Sequence, residues 1–190
     1  MVAGSILPVT IYQGELYFLF GKENPLEDSA KGWSDFGGGA EHNETPYKTA
    51  LREGGEELTG FLGDGKHIAK LIKKNGGTYK IIHNNYHVHM FFLEHDENLP
   101  KYYNRNHAFL WERMDNKMLS KTQLFEKIEI HWFSLSEMKQ RRGEFRVFYR
   151  EIVDRFVDEQ ENIHRFVETK HKRTTSKKVI LRTRKNRPIL

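Results

Sequence analysis

The 190-residue chain has no cysteine, which excludes disulfides and any metal site built on thiolates. It has no apolar run near the roughly 18–20 residues that a membrane-spanning helix needs. Its opening stretch, Met1 to Gln13, lacks the basic start of a secretory signal. Acidic side chains are missing from residues 170–190, where nine Lys or Arg stand. The preceding residues hold 22 basic against 26 acidic side chains, so the body is mildly acidic and the tail supplies the whole +5 net charge. That asymmetry suits a polyanionic partner. The expectation is a soluble cytoplasmic protein, with nuclear import an alternative use of the tail.

What is present supports one core. Apolar residues make up 37% and aromatics 13% of the chain, enough for a single domain of this length. The expected organisation is a domain over 1–168 and a basic tail over 169–190, in which no period is evident and disorder is predicted. Residues 4–12 and 15–22 suggest a hairpin turning at Gln13-Gly14. Thr45 is placed to cap a helix over 46–58, with Pro46 in its first turn and Gly60 past its end. Strands are predicted over 67–73 and 78–83 around Gly76-Gly77, then at 86–94 and 126–133. Helices are predicted at 108–119, 136–140 and 144–168, the last from the spacing of Phe145, Phe148, Ile152, Phe156, Ile163 and Phe166. Mixed strands and helices indicate an α/β sandwich.

Glu53, Glu56 and Glu57 follow one another at i, i+3 and i+4, which places them within about 100° of arc on the helix. Carboxylates so crowded repel each other, and a hard divalent cation with oxygen ligands offsets that repulsion. A solvated acidic face is the plainer alternative. Two features favour the cation. Gly37-Gly38-Gly39 leads towards the helix and lets backbone approach a ligand. Gly54 and Gly55 sit in its interior at about 1 kcal/mol each relative to Ala, which suggests close packing or a functional constraint.

The segment from Gly38 to Glu57, GGAEHNETPYKTALREGGEE, resembles the Nudix box, Gly-x5-Glu-x7-Arg-Glu-U-x-Glu-Glu-x-Gly-U, where U is a bulky apolar residue. Gly38, Glu44, Arg52, Glu53, Glu56 and Glu57 match at their spacings. Two positions depart: Gly54 stands where U is expected, and Gly60 comes one residue late. The flanking pattern of strands extends the resemblance over residues 1–140.

The resemblance implies a Nudix-type α/β/α sandwich with a mixed sheet and a metal-dependent hydrolase of phosphoanhydride bonds using Mg2+ or Mn2+. Glu53, Glu56 and Glu57 would ligate metal, joined by the carbonyl of Gly38 or Gly37, while Arg52 and Glu44 would orient the carboxylates. The general base would be Glu53 or a later carboxylate. Glu126 and Glu129 are preferred over Glu94, because residues 126–133 resemble the matching segment of eukaryotic messenger-RNA decapping enzymes. The first expectation for substrate is therefore the 5′ cap of RNA. The alternatives are a free nucleotide, a dinucleoside polyphosphate, a nucleotide sugar, or RNA held by a catalytically silent module.

Other candidates are read from the residues alone. Lys170, Lys172, Arg173, Lys177, Lys178, Arg182, Arg184, Lys185 and Arg187 would contact RNA phosphates if the tail is a binding arm. His87 and His89 share a strand face and are expected to be structural or solvent-facing rather than ligands. Trp33, Trp111 and Phe109 could stack on a base, though core positions are the commoner outcome.

Overall fold

A computed structural model describes residues 2–24, 31–119 and 125–171. β1 (Ala3–Tyr12) and β2 (Glu15–Glu23) form the expected hairpin. Gln13 and Gly14, at φ 51° and 84°, supply the two positive φ angles of a tight hairpin turn. β3 (Trp33–Ser34) pairs with β2, and β4 (Phe36–Gly39) pairs antiparallel with the first half of β1. β5 (Thr78–His83) and β6 (Tyr86–Phe92) form a second hairpin, and β6 runs parallel to β1. β7 (Lys127–Ser134) pairs with β2. The result is one mixed seven-stranded sheet.

Helices cover both faces, so the architecture is the expected α/β/α sandwich. α1 (Pro46–Glu57), α2 (Gly65–Lys74) and α3 (Asn98–Trp111) share a layer whose core includes Ile6, Leu19, Phe36, Ala50, Ile68, Tyr103 and Ile130. The short α4 (Asn116–Leu119) follows. α5 (Leu135–Gln140), α6 (Arg150–Asp158) and a helical stretch over 160–171 cover the other face, around Phe18, Phe20, Phe133, Phe156 and Ile163. Among the described residues no helix is long and apolar enough to cross a membrane.

Three predicted elements are corrected. Residues 67–73 are helix α2, not strand. Asp64 caps its start by accepting from the His67 amide, and Ile68 and Ile72 lie one turn apart on the buried side. Gly76 and Gly77 follow that helix instead of turning a hairpin with it. The helix expected at 108–119 begins ten residues earlier, and its polar residues serve the sheet. Asn104 accepts from the Ile130 amide at 2.8 Å and donates to its carbonyl at 3.1 Å, covering a free edge of β7. The helix expected over 144–168 starts only at Arg150, because the Arg146 amide bonds to the Trp33 carbonyl at 3.1 Å and holds that segment beside β3. It also turns at Glu159.

Candidate active site

The N-cap at Thr45, whose hydroxyl accepts from the Lys48 amide, sets the start of α1 as the sequence predicts. The two glycines inside the helix record close packing. A Cβ on Gly54 would lie 2.3 Å from Cδ1 of buried Ile6, and one on Gly55 would lie 3.2 Å from the Gly65 amide nitrogen. Gly54 thus stands at the apolar box position because β1 already fills that space. On the neighbouring flank of α1, a Cβ on Gly38 would come 2.5 Å from Oε1 of Glu53. The glycine strand and the first glutamate of the helix are therefore in direct contact.

Arg52 ties the acidic residues together. Its guanidinium donates to both oxygens of Glu44 at 3.0 and 3.1 Å, reaches Glu53 at 2.9 Å and Glu56 at 3.0 Å, and donates to the Gly39 carbonyl at 3.2 Å. Glu44 also accepts from the Thr49 hydroxyl and the Glu41 amide. The hydrogen bonds from Arg52, first among these, hold the Glu44 carboxyl down to about 2. Glu44 and Arg52 are thus placed as orienting groups around Glu53 and Glu56.

The three helix carboxylates do not share one exposed surface. Glu56 is 50% exposed, Glu53 14% and Glu57 only 6% at the side chain. Glu57 accepts from the Gly37 amide at 2.8 Å and lies 3.3 Å from the ammonium of Lys127, which is itself fully buried. Lys127 also pairs with Glu23 and donates to the Ser34 hydroxyl at 2.9 Å, and Arg146 reaches Glu23 at 2.7 Å. Burial pushes the Lys127 ammonium down, but Glu57 and Glu23 outweigh it and hold its pKa up. Sequence reasoning missed Lys127 and Glu23. A lysine at the start of a strand resembles any edge residue, and nothing local marks it as buried.

Glu126 and Glu129 part company. Lys22 opposes Glu129, whereas Glu23 opposes Lys127, so the register slips by one residue between the pairs. Glu129 lies on the face of Phe20 and Phe133, away from α1, with its carboxylate 3.6 Å from the Lys22 ammonium. Glu126 joins the cluster: its half-buried carboxyl is pushed up by burial first and then by the charge of Glu53, with smaller contributions from Glu23 and Glu56. Burial pushes Glu53 up as well, against Arg52 and with Glu56. Glu94 sits just beyond β6 in a surface hollow with His95 and Asp96.

The remaining candidates also separate. Trp33 is buried in the core under α6, and Phe109 is exposed with the Arg113 guanidinium 3.8 Å above its ring. Trp111, with His107, Phe125 and Ile128, lines a cavity of about 330 Å³ rimmed by Glu112. Phe125 and Ile128 flank Glu126 in the chain, so this cavity adjoins the acidic cluster. His89 is buried against the ring of Tyr47, and burial lowers its pKa to about 4. It lies on β6, across β1 from the glycine strand. Of the nine predicted tail residues only Lys170 is among the described ones, its ammonium 5.1 Å from the Phe166 ring centre. The other eight, Lys172 to Arg187, lie outside them.

Among the described residues, no three His, Asp or Glu side chains form a ready-made metal cluster. Arg52 holds Glu53 and Glu56, and Lys127 holds Glu57. The donor chemistry nevertheless fits a hard cation. Glu53, Glu56 and Glu126 offer only oxygen, and each raises the repulsion felt by another, a strain that a divalent ion relieves.

No family model matches the chain. Over 59 residues it is 44% identical to an uncharacterized protein, L534, of Acanthamoeba polyphaga mimivirus; that stretch is 30% of this chain, and the chain spans only 19% of that protein. In three dimensions it is similar to a C. elegans Ap4A hydrolase solved as a binary complex, with a TM-score of 0.46, 13% identity, and coverage of 84% of this chain and 97% of that one.

Proposed function

We propose that this chain is a metal-dependent hydrolase of the Nudix type, cleaving a phosphoanhydride bond in a substrate linked to a nucleoside diphosphate. One observation carries the reading. Arg52 gathers Glu44, Glu53 and Glu56 beside the glycine strand, and β7 brings Glu126 to the same cluster from about seventy residues away.

A bound Mg2+ or Mn2+ would neutralise the diphosphate and make water a stronger nucleophile. Glu53 and Glu56 are the helix residues placed to hold it, with Glu126 facing them. Arg52 fixes their orientation and Glu44 fixes Arg52. Glu126 is assigned as the general base, its carboxylate oxygen accepting the proton of the attacking water; its raised pKa suits that task. The cavity beside it is within the size range of small-ligand sites, and Trp111 offers an aromatic surface for the base of the substrate.

For the substrate the reading is the 5′ cap of RNA, supported by the basic tail of the sequence. Capped RNA should be assayed with Mg2+ or Mn2+ beside nucleoside triphosphates, dinucleoside polyphosphates and nucleotide sugars. Cleavage of capped RNA that is lost with chelator and in Glu56→Gln is the expected result. Cleavage confined to the free nucleotides would replace the cap as substrate, and no cleavage of any of them would overturn the hydrolase reading.

A further inference from the structure

Glu57 and Lys127 form a buried pair whose place in the site is unusual. We infer that the Lys127 ammonium is a built-in cation at Glu57, so that the divalent ion is held by Glu53, Glu56 and Glu126, while Glu57 anchors the glycine strand instead of ligating metal. The inference rests on the metal-dependent reading above and specifies which residues serve the ion.

Both oxygens of Glu57 are engaged, one by the Gly37 amide at 2.8 Å and the other by Lys127 at 3.3 Å. The side chains are 6% and 0% exposed. A divalent ion needs several oxygen ligands, water commonly among them, at roughly 2.0–2.6 Å. At Glu57 it would meet little free oxygen, little room for water, and an ammonium already on the carboxylate. Glu53 and Glu56 face Arg52 instead, and Glu56 is half exposed, so a shift of one guanidinium frees their oxygens. Lys127 has no comparable freedom. It is enclosed by Glu23, Ser34 and Glu57, and its stem lies where a side chain on Gly21 would stand, 2.8 Å from a Cβ there.

The slip in register between β2 and β7 is what brings Lys127 here. Lys127 pairs with Glu23, whereas Glu129, two residues on, pairs with Lys22 and faces the opposite layer. Lys127 is therefore a positioning residue: it acts through Glu57, which holds the Gly37 amide and so keeps the glycine strand against Glu53.

The charges permit a clean test, because Glu23 keeps Arg146 at 2.7 Å when Lys127 and Glu57 are both neutralised. Mn2+ binding, read by the paramagnetic resonance of the free ion, should be measured alongside metal-free melting for Glu56→Gln, Glu126→Gln, Glu57→Gln and the double variant Lys127→Met/Glu57→Gln. Glu56→Gln and Glu126→Gln should each weaken Mn2+ binding by about tenfold or more and leave the melting temperature close to the parent's, since each removes an ion ligand from a repelling group. Glu57→Gln should melt earlier, because it leaves a buried ammonium short of one partner, and should bind Mn2+ within about twofold of the parent. If Glu57→Gln does not fold, the double variant restores charge balance and should bind Mn2+ like the parent. Loss of Mn2+ affinity in the folded Glu57→Gln or double variant, equal to that in Glu56→Gln, would overturn the inference and leave the hydrolase reading standing. A parent chain that binds no Mn2+ would overturn both.

Discussion

Glu126 and Glu129 are three residues apart and equally acidic, and their neighbours alone separate them. Glu126 sits among Glu53, Glu56 and Glu23, while Glu129 pairs with Lys22 on the other face. Glu126→Gln should lower kcat and kcat/KM together by about 10²–10⁴-fold, as loss of a general base does. Glu129→Gln should leave both unchanged in the same steady-state assay. The reverse pattern would move the base to Glu129 and contradict the register described here. His89 illustrates a residue whose burial sets a pH dependence. Its pKa is lowered by burial from 6.5 to about 4, so the unfolded chain takes up a proton that the folded one refuses. Stability is full above the unfolded value and falls as pH drops from about 6.5 towards 4. The loss is of the order of 2–3 kcal/mol. Urea titrations of His89→Phe against the parent over that range should show a shallower decline in the variant; parallel declines would remove His89 as the cause.

Among the elements, α1 was legible in the sequence and α2 and α3 were not. Every signal for α1 is local: Thr45 caps it, Pro46 enters it, and the carboxylate spacing has helical period. Gly76-Gly77 suggested a hairpin after 67–73, but at φ 93° and 89° the pair ends a helix. α3 was obscured by composition. Residues 95–107 look like a polar connection because Asn104, Tyr103 and His107 turn their polar atoms inward, to Ile130, to the carbonyls of Glu57 and Lys127, and to Thr59. Such uses depend on partners far away in the chain. Asn104→Leu tests the account. Removing the amide leaves the Ile130 amide and carbonyl without partners at a part-buried edge, which should cost about 1–3 kcal/mol in urea unfolding. No change in the unfolding midpoint would mean that water already serves that edge.

For the whole molecule the dominant feature is charge separation between an acidic body and a basic tail. The candidate catalytic residues all lie in the body, so removing residues 172–190 should spare hydrolysis of a small cap analogue. Action on long capped RNA should weaken and become less dependent on salt, because fewer counterions are released on binding. Equal activity of the two forms on long capped RNA at every salt concentration would remove the ground for preferring RNA over a free nucleotide. The truncation is placed after 171 because the chain is helical to that point. The sequence by itself determined the α/β class, the glycine-to-helix motif with Glu44, Arg52, Glu53, Glu56 and Glu57 at fixed spacings, and the separation of charge. These depend on short-range periodicity and on composition. Only the tertiary structure decided that Glu57 is buried on Lys127, that Glu126 and not Glu129 meets the helix carboxylates, and that Trp111 lines a cavity while Trp33 fills the core. A one-residue slip between two strands controls the first two, and no local pattern in either strand records the register between them.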